Sequence, residues 1–165
     1  MSIIALGDVG QSAVLVGVTT VCSTLGALLI QRISLRKEQE AAFDQKRLDA
    51  IVDVRQKIEI SLGTWRGWAH ATITRPEFED PKERYERASR SIHEAWYATR
   101  VFEIYFPDLA PELERLRRGL GTAKDIATRQ VDAGRFDHTE FEADSRECDA
   151  VLDRVTTHAR AQLSI

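Results

Sequence analysis

Val9 to Gln31 reads VGQSAVLVGVTTVCSTLGALLIQ, 23 consecutive residues without a charge, bounded by Asp8 and Arg32. As a helix, Ser12 to Ile30 alone would rise about 28 Å, which matches the hydrocarbon core of a bilayer. Ten of the 23 residues are Val, Leu or Ile. On an insertion scale they contribute roughly −3 to −6 kcal/mol, partly offset by Ser, Thr, Gln and Gly, whereas one central Arg or Asp would cost about 3 kcal/mol. The lack of charge therefore decides the reading, which is a transmembrane helix over 9–31. A cleaved signal peptide would need a basic start, and residues 1–11 hold no Lys or Arg. A buried core helix is usually shorter and flanked differently.

The flanks set the orientation. Arg32, Arg36 and Lys37 cluster just after the span, while only Asp8 and the α-amino group precede it. The positive-inside rule then predicts a single-pass protein of the cell membrane, with residues 1–8 outside and the C-terminus cytoplasmic. Glu38 and Glu40 follow at once, which favours a topology signal over a lipid-binding segment. One face of the span carries Gly10, Ala13, Gly17, Thr20, Thr24 and Ala27 at spacings of three and four. Small stripes of this kind let helices approach closely in lipid, so they predict a homo-oligomer or docking on another membrane protein.

Beyond the span there is no proline until Pro76. Residues 32–47 (RISLRKEQEAAFDQKR) are polar on most faces and read as a helical neck. A regular apolar stripe then begins: Leu48, Ile51, Val52, Ile58, Leu62, Trp65, Ala69 and Thr72 or Ile73. Gly63 and Gly67, a turn apart, mark a place where a neighbour could approach. A second helix is expected from about Lys82 to Phe106, burying Tyr85, Ala88, Ile92, Ala95, Trp96, Thr99 and Phe102. Asp108 reads as the N-cap of a third, with Leu109, Leu113, Leu116, Leu120, Ala123, Ala127 and Val131 inward and Gly134 as its stop. Thr139 with Glu142, or Asp137, would cap a fourth, whose stripe is Phe141, Ser145, Cys148, Leu152, Val155, Ala159 and Leu163. The expected fold is all-α: a transmembrane helix continuing through the neck into an antiparallel up-down bundle over 48–165. Its first helix is shared with the neck. A three-helix bundle pairing its long first helix with a second chain is the alternative.

No catalytic chemistry is visible. A di-iron bundle needs Glu-x-x-His, but the residues three before His70, His93, His138 and His158 are Gly67, Arg90, Arg135 and Val155. There is no HExxH, no phosphate-binding glycine loop, and no Ser or Cys with a base in reach. Cys22 and Cys148 make neither a metal motif nor a disulfide framework. A net charge of −3 gives no footprint for nucleic acid. No enzyme, metal or cofactor is expected. Of the aromatic residues, Trp65, Trp96 and Phe102 read as core. Trp68, Tyr97 and Tyr105 fall off the main stripes and are candidates for a partner surface, the alternative being that they broaden the core.

The stretches AVLVGVTTVCSTLGALLI and RISLRKEQEAAFDQKR resemble the layout of small single-span proteins of high-GC actinobacteria and their phages. In those, a Gly/Ala/Val-rich span runs into an Arg/Glu-rich neck and a helical domain. The resemblance covers about 40 residues and implies no activity. The expected function is a membrane-tethered, non-enzymatic interaction module with a cytosolic protein partner. The alternative is a membrane-acting effector of the lysis, exclusion or toxin kind. A small-molecule sensor in the bundle core is a weaker third.

Overall fold

The computed structural model describes residues 7–75, 77 and 80–163, with side chains described from residue 30 onward. Every element is helical: α1 over Gly7–Thr74, α2 over Pro81–Tyr105, a single 3-10 turn over Pro107–Leu109, α3 over Ala110–Ala133 and α4 over His138–Gln162. No strand occurs among the described residues. The chain divides into two compact units, Met1–Asp44 and Gln45–Ile165.

In the first unit the backbone is helical from Gly7 onward. The proposed packing stripe Gly10, Ala13, Gly17, Thr20, Thr24 and Ala27 lies outside the residues whose side chains are described. Arg32, Arg36 and Lys37 are exposed, as are Ile30, Ile33, Leu35 and Phe43.

The second unit is a four-helix bundle whose ion pairs and ring contacts fix its topology. Lys57 meets Glu94 and Trp68 meets Tyr85, so α2 runs antiparallel to α1. Arg117 reaches Glu103 at 3.0 Å, reversing direction again between α2 and α3. Arg129 pairs with Glu140, and Gly119 faces Cys148, which turns α4 back along α3. Arg55 meets Asp153 at 3.2 Å and Arg47 meets Gln162 at 3.1 Å, closing the ring between α4 and α1. This is the up-down-up-down order that short connections favour.

The core follows heptad spacing on α1: Ile51, Val54, Ile58, Ser61, Trp65 and Trp68, with Ala50, Leu62 and Ala69 beside it. Val52, expected inside, is 62% exposed, and Val54 takes its place. The 3-4 alternation from Ile51 selects position 54, and Val52 falls on the opposite side of the helix. On α2 the stripe holds at Ala88, Ile92, Ala95, Thr99 and Phe102, but Tyr85 and Trp96, expected inside, are each 39% exposed. Leu113 to Ala127 on α3 and Phe141 to Ala159 on α4 agree with expectation.

One helix start differs from the sequence expectation, and at another the second of the two expected caps is the one used. Asp108 sits in the 3-10 turn, and Leu109 occupies the cap position of α3 with no side-chain bond. Phe106 explains the detour: it is fully buried, stacked on Phe102 at 4.6 Å, and the chain must turn tightly around it before α3 begins. At α4 the cap is Asp137 rather than Thr139. Its carboxylate accepts from the Thr139 backbone N–H at 3.0 Å, and the Thr139 hydroxyl also donates to it. Those bonds hold the Asp137 carboxyl below its ordinary value. Gly134 ends α3 in the left-handed region at φ 62°, where glycine carries no Cβ penalty.

Candidate functional site

The large exposed apolar side chains of the second unit are carried by α1 and α2. They are Val52 and Ile60 on α1 and Tyr85, Trp96, Tyr97 and Ile104 on α2. None falls on α3 or α4 among the described residues. On α2, Glu86, Arg90, His93, Tyr97, Arg100 and Ile104 share the face opposite the core, since their spacing of three and four repeats the helical period. Tyr97 is 71% exposed and Ile104 77%. Trp96, expected in the core, is 39% exposed and packs its ring edge against His93 at 5.9 Å. The small residues Ala95, Ala98 and Thr99 take the inner positions instead.

The partner-surface candidates therefore separate. Tyr97 stands on the exposed face as expected. Trp68 does not: it is buried, because it continues the heptad seam three residues after Trp65. Tyr105 is half-buried and packs against the core cluster, so it is also withdrawn from the candidate surface.

The aromatic residues form two groups at opposite ends of the bundle. Near the α1–α2 connection, Trp65, Trp68 and Tyr85 meet edge to face, with centroids 5.4 to 5.7 Å apart. Near the start of the second unit, Phe102 stacks on Phe106, and the Arg47 guanidinium lies 4.7 Å above the Phe106 ring. Antiparallel pairing separates the groups, since the end of α1 meets the start of α2.

A groove of about 760 Å³ runs between α1 and α2, lined in part by Lys57, Tyr85, Arg90, His93 and Tyr97. Lys57 and Glu94 bond across it at 2.7 Å. That bond raises the Lys57 pKa and lowers that of Glu94. Such volumes are typical of small-ligand pockets.

On the other side, α3 and α4 enclose a polar groove of about 710 Å³ that includes Arg115, Arg118, Asp144, Glu147, Cys148 and Arg154. Burial, with repulsion from Glu147 second, pushes the Asp144 carboxyl up to about 6. Burial first, and the surrounding acids second, push the Cys148 thiol up to about 12. A thiol held that high stays protonated and is a poor nucleophile. Sequence reasoning placed Cys148 in the core correctly but gave no sign of Asp144, whose half-buried state depends on the neighbouring helix. No group of three or more His, Cys, Asp or Glu among the described residues could hold a metal ion.

Gly63 and Gly67, expected at a close helix contact, are exposed, and a Cβ on either would meet nothing within 4 Å. The close approach is instead at Gly119, where an added Cβ would lie 2.4 Å from the Cys148 Sγ.

Among the described residues no helix is long and apolar enough to cross a membrane. The stretch 9–31 lies, except for Ile30 and Gln31, outside the residues whose side chains are described. Comparison with family models, curated proteins and solved structures finds no match to this chain.

Proposed function

We propose that this protein is a non-enzymatic, membrane-tethered interaction module that self-associates through its span and presents a helical bundle to a cytosolic partner. The observation that carries the reading is the charge-free run of 23 residues at the head of the chain, followed at once by Arg32, Arg36 and Lys37. The exposure of Val52, Ile60, Trp96, Tyr97 and Ile104 supports a partner face on α1 and α2, since aromatic anchors are enriched at binding hot spots. The test begins with fractionation. The intact chain should sediment with membranes and resist alkaline extraction, and an intact chain left in the supernatant without detergent would overturn the tether. In detergent, Gly17→Leu should weaken self-association, while Tyr97→Ala with Ile104→Ala should release the cytosolic partner.

The second reading is a membrane-acting effector. It rests on the polar residues of the span, Gln11, Thr19, Thr20, Ser23 and Thr24, which could line an oligomeric pore. Rapid depolarisation on induction that persists with a span-only chain favours this reading over the first.

A further inference from the structure

Seven hydroxyl side chains on these helices satisfy themselves against their own backbone. Thr64, Thr74, Ser91, Thr99, Thr122, Thr128 and Thr156 all donate to a carbonyl three or four residues earlier. Ser61 and Thr72 break that habit. Their hydroxyls are sealed from solvent and have no hydrogen-bond partner among the described residues. The Nε1 atoms of Trp65 and Trp68 share this state. The four side chains stand at spacings of four, three and four, so they form one inward stripe over three turns of α1. Ser61 and Trp65 are fully buried and Trp68 is 9% exposed.

Unpartnered buried polar groups carry a desolvation cost and are rare in folded proteins, and four in a single row are rarer still. An edge-to-face indole can turn its N–H toward a neighbouring ring, which recovers only part of a hydrogen bond. It does nothing for the two hydroxyls. The row also differs from the first half of the same seam, where Ile51, Val54 and Ile58 are wholly aliphatic. In the register set by Lys57–Glu94 and Trp68–Tyr85, the buried α2 residues at the level of this row are Ala88, Ser91 and Ile92. Tyr85 links this row to the open groove: its ring meets both indoles edge to face, and it also lines the groove.

We propose that this end of the bundle is a binding site for an uncharged, ring-bearing molecule with a carbonyl acceptor. The ligand enters from the α1–α2 groove as Tyr85 turns aside, and its carbonyl, with two lone pairs, accepts from the indole N–H groups of Trp65 and Trp68. The ring packs against Trp65, Trp68 and Tyr85. A charged carboxylate fits worse, because Asp53, Glu86 and Glu94 outnumber Lys57 and Arg90 along the groove. The site is independent of the membrane tether.

The test uses the full-length chain in detergent micelles with 2-acetylnaphthalene as probe, followed through the indole N–H resonances. Saturable shifts should appear at Trp65 and Trp68 and not at Trp96. 2-Ethylnaphthalene, which keeps the shape and lacks the acceptor, should bind at least about tenfold more weakly, as should 2-naphthoate. Trp68→Phe keeps the ring and removes the donor, and should also weaken the probe about tenfold. If that variant fails to fold, Trp65→Phe replaces it, with the same loss. Equal binding of the ethyl compound, shifts confined to Trp96, or no saturation would each overturn the proposal. The last result would assign the donors to internal water.

Discussion

Two side chains on α3 and α4 show how much a single position depends on its neighbour. Gly119 is needed because the Cys148 Sγ occupies the space of its absent Cβ. Gly119→Ala should destabilise the bundle by about 1–3 kcal/mol through overpacking. Gly121→Ala, in open space, should instead stabilise it by up to about 1 kcal/mol, since alanine is the better helix former. Adding Cys148→Ala should recover most of the loss at Gly119, and chemical denaturation of the parent, the Gly119→Ala and Cys148→Ala single variants and the double variant measures the coupling. Asp144 supplies a pH dependence. An acid whose value is raised by folding holds its proton more tightly in the folded chain. Its contribution is therefore full below the unfolded value, about 4, and is lost as pH rises to about 6. Asp144→Asn should be neutral near pH 4 and stabilising by about 1 kcal/mol at pH 7.5, after allowing for solvent screening of a half-buried group. A parallel pH profile for variant and parent would refute the assignment.

At the scale of elements, the connection between α3 and α4 is held by one buried amide. The Gln130 Oε1 accepts from the Asp137 backbone N–H at 2.9 Å, and its Nε2 donates to the Asp137 carbonyl at 3.0 Å and to Glu140 at 3.0 Å. Gln130 thus substitutes for a backbone partner on both sides of the residue that caps α4. Gln130→Met preserves the volume and removes all three bonds, so it should cost about 1–3 kcal/mol. Amide exchange should quicken first over the opening turn of α4. A uniform loss of protection across the bundle would show that the amide merely fills space. At the other end, the α1–α2 connection uses Asp80, which caps Lys82, and the buried Arg84, which donates to the Arg75 carbonyl at 3.2 Å. Element types and most boundaries were legible in the sequence, because Pro81, Gly134 and the 3-4 periodicity act locally. The start of α3 was not, since a buried Phe106 redirects the chain there.

The whole molecule consists of a helical first unit and a bundle with a core of its own. Residues 45–165 expressed alone should unfold cooperatively with a midpoint within a few degrees of the parent bundle. A molten product would show that the first unit supports the fold. The distribution of exposed apolar residues belongs to this scale too, because it emerges only when four helices have chosen their inner faces. The sequence left Trp68 open between core and partner surface and placed Trp96 inside; packing buries the first and leaves the second partly exposed.

What the order of residues determined here is one-dimensional. It comprises the charge-free run at the start, the basic flank after it, four helical periods and the glycine and prolines that separate them. Each follows from interactions within a few positions along the chain. Tertiary structure decided which of several apolar faces turns inward, which glycine is truly crowded and which donors end without partners. Those outcomes depend on the shape of neighbouring helices. A period of 3.6 gives the direction of a side chain from its own axis and says nothing of what will stand opposite.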